Sequence, residues 1–129
     1  MAKILNRHDA TGFLSNAKEF LESAGDDLEK GRTNAAAFTA VQAMINANDA
    51  LTVYMLGKRA TRGHREAIKL HVDVVRKTDD SSYRYVLKHA LEVRNDAGYT
   101  GRTVSKRESE RIVGDATSFI AWVEEQIAE

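Results

Sequence analysis

The hexapeptide Arg94-Asn95-Asp96-Ala97-Gly98-Tyr99 gathers a guanidinium, a carboxamide and a phenol within about one and a half helical turns. A guanidinium can hold a phosphate through two parallel hydrogen bonds. A phenol can stack on a base or hydrogen-bond across an interface, but with a pKa of about 10 it is a poor proton carrier near neutrality. A second basic stretch runs from Gly57 to Arg65 and carries Lys58, Arg59, Arg62 and Arg65 with no acid. With His64 it could grip phosphate at the start of a helix, where unpaired N–H groups favour anions. The alternative is a solvated loop in which His64 caps that helix. Asp49 interrupts a long apolar segment and either orients Arg94, acts as a base, or is a satisfied buried carboxylate.

Several chemistries are excluded at the outset. The chain has no cysteine, so disulfides, thiolate metal sites and a cysteine nucleophile are ruled out. His64 and His71 share a helix face, but the nearby acids Glu66 and Asp73 fall off it, and two histidines make a poor zinc site. No metal and no cofactor is expected. His8 and His89 read as isolated. No glycine-rich phosphate loop, Ser-His-Asp order or paired-carboxylate motif is present. The 19 basic and 19 acidic residues balance, which argues against a protein that coats nucleic acid through overall charge. No apolar run approaches a membrane span, so no membrane contact is expected and the cytoplasm is the expected compartment.

The elements that must position these groups are helical. The 129 residues contain no proline and are rich in alanine, and apolar spacing of three and four recurs throughout. The pattern predicts one domain over 1–129, an all-α antiparallel bundle of four long helices plus one shorter one. The first helix spans about 9–29, with Phe13, Leu14, Ala17, Phe20, Leu21, Ala24 and Leu28 as its stripe and Gly31 as terminator. The second starts near Thr33 as N-cap and ends at Leu56, with Gly57 as a left-handed cap. Asn48 lies on its inner face and must find hydrogen-bond partners. The third covers about 63–77. The fourth follows the turn at Asp79-Asp80-Ser81-Ser82, burying Tyr83, Val86, Leu87, Ala90 and Leu91, and Arg94 falls at the next step of the same face. A charge that continues an apolar stripe reaches past the core's edge or meets a specific partner. Ser105-Lys106-Arg107-Glu108 matches a capping box and starts the fifth helix. Trp122, in that helix, is expected at the core edge or in a dimer interface.

The order of these parts resembles the HEPN domain (higher eukaryotes and prokaryotes nucleotide-binding). The parts are an alanine-rich second helix, a basic loop, a short helix opening at His64, then Arg94-Asn95 with Tyr99, a turn, and a Ser105-x-x-Glu108 helix. The resemblance covers nearly the whole chain. It implies a helical bundle that pairs as a homodimer, with the Arg-led motif of each copy near a shared cleft. Many members are ribonuclease toxins paired with a nucleotidyltransferase antitoxin, and others bind nucleotides or mediate assembly.

In the nuclease members the arginine is followed after four to six residues by histidine, where this chain has Tyr99. The resemblance therefore implies a nucleotide or RNA site built on Arg94, Asn95 and Tyr99, with Arg59, Arg62 and His64 as further phosphate contacts and without efficient cleavage. One alternative is a metal-independent ribonuclease toxin of a toxin–antitoxin pair, in which Arg94 acts with Asp49 or His64 as the acid–base group. Another is a non-catalytic assembly module. The literal arginine-to-histidine spacing at Arg59 and His64 lies between the second and third helices, away from the family's motif position.

Overall fold

In the computed structural model residues 3–99 and 101–128 are described, residues 3–4 and 96–99 by their backbone alone. The second helix, α2 (Thr33–Leu56), organises the rest. It buries residues on every side, Ala36 and Ala37 as well as Val41, Met44, Leu51 and Val53, so its neighbours must cover it all round. In chain order the elements are β1 (Lys3–Ile4), one 3₁₀ turn (Arg7–Asp9), α1 (Ala10–Glu29), α2, β2 (Lys58–Arg59), α3 (His64–Thr78), α4 (Arg84–Tyr99) and α5 (Lys106–Ile127). α1, α3, α4 and α5 all pack against α2.

The short connection 30–32 turns the chain back, so α1 and α2 form an antiparallel hairpin. α1 buries Ala10, Ala17 and Ala24, small residues that let the two helices approach closely. Phe20 departs from the expected stripe and is 37% exposed. At 100° per residue it lies roughly 60° from Ala17, on the flank of the alanine face. Gly31 lies one residue beyond the cap Lys30 with φ 77°, as the helix's terminator should.

Gly57 serves two structures at once. With φ 73° it is the left-handed cap of α2, its N–H donating to the Val53 carbonyl. A Cβ there would stand 3.2 Å from the Leu5 carbonyl oxygen, so glycine also lets the N-terminal segment pass close by. That segment pairs with the start of the basic run, Lys3 opposite Arg59 and Ile4 opposite Lys58, in a two-residue antiparallel bridge where the sequence reads as loop. Thr33 is the first helical residue of α2 rather than its cap. Arg32 holds the cap position without a side-chain hydrogen bond to the helix end, its guanidinium instead meeting Asp27 at 3.4 Å.

Two polar clamps fix the ends of α4. After it, Asn34 on α2 accepts the Val104 N–H at 2.7 Å and donates to the Arg102 carbonyl at 3.1 Å, while the Ser109 hydroxyl donates to the Thr33 carbonyl at 2.9 Å. Before it, the Trp122 indole N–H donates to Asp80 at 2.8 Å, and Asp80 also accepts from the Ser82 hydroxyl and backbone N–H. Trp122 is thus held at the core edge, in a cluster with His71, Tyr83 and Phe119 whose ring centroids lie 5.1 to 6.0 Å apart. Ser105 caps α5 by accepting the Glu108 N–H at 3.1 Å, but the reciprocal arm of the box is not made. The Glu108 carboxylate instead meets His89 Nε2 at 2.9 Å, so His89 is not isolated. Among the described residues no helix is long and apolar enough to cross a membrane.

Candidate functional site

α4 carries Leu87, Ala90 and Leu91 into the core, and Arg94 follows on the same face, half-buried. It reaches both kinds of partner that a charge at a core edge can use. Its guanidinium carbon lies 4.9 Å from the Phe38 ring centroid, and Nη1 stands 3.4 Å from His64 Nε2. A guanidinium can only donate, so Nε2 accepts and Nδ1 carries the proton of a neutral ring. Burial, and then the Arg94 charge, hold the His64 pKa below its ordinary value. His64 is therefore a neutral imidazole beside a permanent cation at pH 7.

Gly63 makes this placement possible. It holds the N-cap position of α3 with φ 97° and ψ −167°, a conformation that side-chain-bearing residues rarely adopt, and so turns the chain to present His64 at the first helical position. His64 does not cap the helix. The side chain of Glu66 secures the preceding loop, accepting the N–H groups of Thr61 at 2.7 Å and Arg62 at 3.3 Å. That carboxylate occupies the N–H groups of Thr61 and Arg62 just before the helix start. Arg62 is exposed there and does not line the cavities around His64.

Behind His64 lies a small cavity of about 190 Å³ lined by Asp49, Arg59 and His64. Asp49 is 8% exposed, and burial pushes its carboxyl up to about 6 against the opposing pull of Arg59. The Arg59 guanidinium also rests 5.1 Å from the Phe13 ring centroid. Asp49, Arg59 and His64 thus share one cavity, and His64 joins it to Arg94. His71 has a different fate from His64. It is fully buried, its Nδ1 meets Asn48 Oδ1 at 3.0 Å, and Asn48 Nδ2 donates to the Ala67 carbonyl at 3.3 Å. Burial lowers its pKa to about 4, so it packs as a neutral core ring. Among the described residues no cluster of three or more His, Cys, Asp or Glu side chains is placed to hold a metal ion.

A family model for the HEPN domain matches residues 10–126. The chain belongs to the HEPN family. This HEPN protein has the fold of a solved structure, TT1696 from Thermus thermophilus, with a TM-score of 0.75 at 22% identity over 91% of this chain and 97% of that one. No curated protein matches it.

The backbone of α4 continues to Tyr99, whose side chain lies outside the described residues. Asn95 is exposed and lines a larger groove on the outer side of His64. Sequence reasoning missed Phe38, whose ring holds Arg94, and Glu66, which secures the loop. The signal for Glu66 was its place three residues after the helix cap, where a carboxylate reaches back to preceding N–H groups. Phe38 carried no signal beyond being aromatic on α2.

Proposed function

We propose that this HEPN protein binds the phosphate of a nucleotide or an RNA chain at Arg94 and His64, without efficient cleavage. The observation that carries the reading is the 3.4 Å approach of Arg94 Nη1 to His64 Nε2. A neutral imidazole accepts a guanidinium N–H without bringing an opposing charge, so the pair stays cationic and attracts an anion. An arriving phosphate also favours the protonated ring, which turns Nε2 from an acceptor into a second donor. Binding thereby takes up a proton, and affinity rises as pH falls through the His64 pKa of the complex. Titration calorimetry with 5′-AMP and a short RNA tests this. Saturable binding that is lost in Arg94→Ala supports it, and equal binding by both proteins contradicts it.

The convergence of His64 and Asp49 near Arg94 favours one second reading, metal-independent RNA cleavage. Asp49 or His64 would take the proton of the 2′-hydroxyl while that oxygen attacks phosphorus. A protonated partner would return a proton to the leaving 5′-oxygen, giving a 2′,3′-cyclic phosphate. Cavity size weighs against efficient turnover: at about 190 Å³ the space beside Asp49 is smaller than the roughly 300 Å³ at which ligand pockets begin. Incubation with RNA in EDTA separates the readings, since cyclic-phosphate ends lost in both His64→Ala and Asp49→Asn would establish cleavage. The homodimer implied by the family resemblance belongs to the same proposal, and sedimentation of the purified protein as a monomer would remove it.

A further inference from the structure

On the outer side of His64 a groove of about 610 Å³ runs between α3 and α4. His64 and Leu91 line both this groove and the small Asp49 cavity, so the groove opens directly onto the proposed phosphate site. Its volume falls within the range of ligand sites. Ile68 and Leu91 supply apolar lining, and the charges are uneven: Arg65, Arg84 and Lys88 against the single carboxylate of Glu92. Tyr85, also in the lining, is 69% exposed, and the Arg84 guanidinium lies 5.4 Å from its ring centroid. Among the described residues Tyr85 is the most exposed large hydrophobic side chain. From Arg84 to Asn95 the α4 side of the groove is about 16 Å long, more than one nucleotide needs.

We infer that this groove is the path of a single-stranded RNA leading into the site at Arg94 and His64, with a base stacked on Tyr85 and backbone phosphates neutralised by Arg65, Arg84 and Lys88. The inference rests on the phosphate-binding reading above. Stacking platforms combined with cations hold single strands irrespective of sequence, because every base has a π-face. A duplex keeps its bases stacked on each other and offers none to Tyr85.

The test is fluorescence anisotropy with a labelled single-stranded hexanucleotide, competed by 5′-AMP and by an RNA hairpin stem, on wild type, Tyr85→Ala, Tyr85→Phe and Arg94→Ala. The hexanucleotide is expected to bind about tenfold or more tighter than 5′-AMP and than the stem. Tyr85→Ala should lose about tenfold for the hexanucleotide, Tyr85→Phe should retain it, and both should bind 5′-AMP as wild type does. Arg94→Ala should lose both ligands. If 5′-AMP binds but Tyr85→Ala holds the hexanucleotide like wild type, the groove is overturned and the Arg94 site stands. If neither ligand binds wild type, the site fails and the groove with it. A dimer that dissociates in Tyr85→Ala while hexanucleotide affinity is unchanged would make the groove a self-association face and overturn the inference.

Discussion

His64 and Arg94 are 30 residues apart in sequence, and their side chains meet at 3.4 Å. His64 stands where the groove between α3 and α4 meets the small Asp49 cavity. The contact couples an imidazole whose pKa is held below its ordinary value to a guanidinium that stays charged. Each partner therefore reports on the other.

Replacing Arg94 should raise the His64 pKa. Burial is the larger cause of its depression and the Arg94 charge the smaller, so Arg94→Ala should recover part of the shift and leave the ring still below its ordinary 6.5. An NMR titration of the imidazole C–H signals checks this. An unchanged pKa would mean the two side chains do not interact in solution.

Asp49→Asn should stabilise the protein at pH 7 by about 2 kcal/mol, because it removes a charge that burial disfavours. The sign of its pH dependence follows from the direction of the shift. Asp49 has a raised folded-state pKa, so its contribution is present below 3.8 and is lost as pH rises through about 6. His71 has a depressed one, so its contribution is present above 6.5 and is lost as pH falls through about 4. Each amounts to ~3 kcal/mol across its window and the two oppose, so they leave wild-type stability nearly flat between pH 6.5 and 4. In Asp49→Asn the His71 contribution is no longer opposed, and urea midpoints should fall steadily on acidification. Parallel pH profiles for the two proteins would contradict this account.

Asn48→Ala should cost about 1–3 kcal/mol, since it leaves His71 Nδ1 without its partner in the core and removes the second donor to the Ala67 carbonyl. Chemical denaturation measures the loss. A cost near that of an exposed substitution, about 0.5 kcal/mol or less, would show that the pair is not formed.

The single tryptophan offers an optical check on the turn before α4. Asp80→Ala removes the acceptor of the Trp122 indole N–H and of two Ser82 groups. Stability should fall by about 1–2 kcal/mol, with a change in Trp122 emission in the folded baseline. Unaltered emission would mean that the indole finds another acceptor.

Much of this frame was legible in local pattern. The extent of α2, the cap at Gly57, the start of α5 at Ser105 and the inward turn of Asn48 all depend on residues close in sequence, and the stripe that ends at Arg94 correctly put a charge at the core's edge. What meets Arg94 was not legible. His64 arrives from a different helix, through a loop whose course is set by Gly57, Gly63 and the bridge to Lys3, and no local periodicity encodes that path. The same holds for His89 and Glu108, 19 residues apart on neighbouring helices, and for Phe38 beneath the Arg94 guanidinium. Glu66 shows a different limit. A basic run without acids reads as a phosphate grip or a solvated loop, and neither reading shows that the first carboxylate beyond it folds back onto two of its N–H groups.

The most direct test of phosphate binding at Arg94 and His64 is to follow the His64 ring by NMR while 5′-AMP is added. Saturable shifts are expected, together with a His64 pKa higher in the complex than in the free protein, and both should vanish in Arg94→Ala. Saturable binding that leaves His64 unshifted, or that survives Arg94→Ala, would contradict the account.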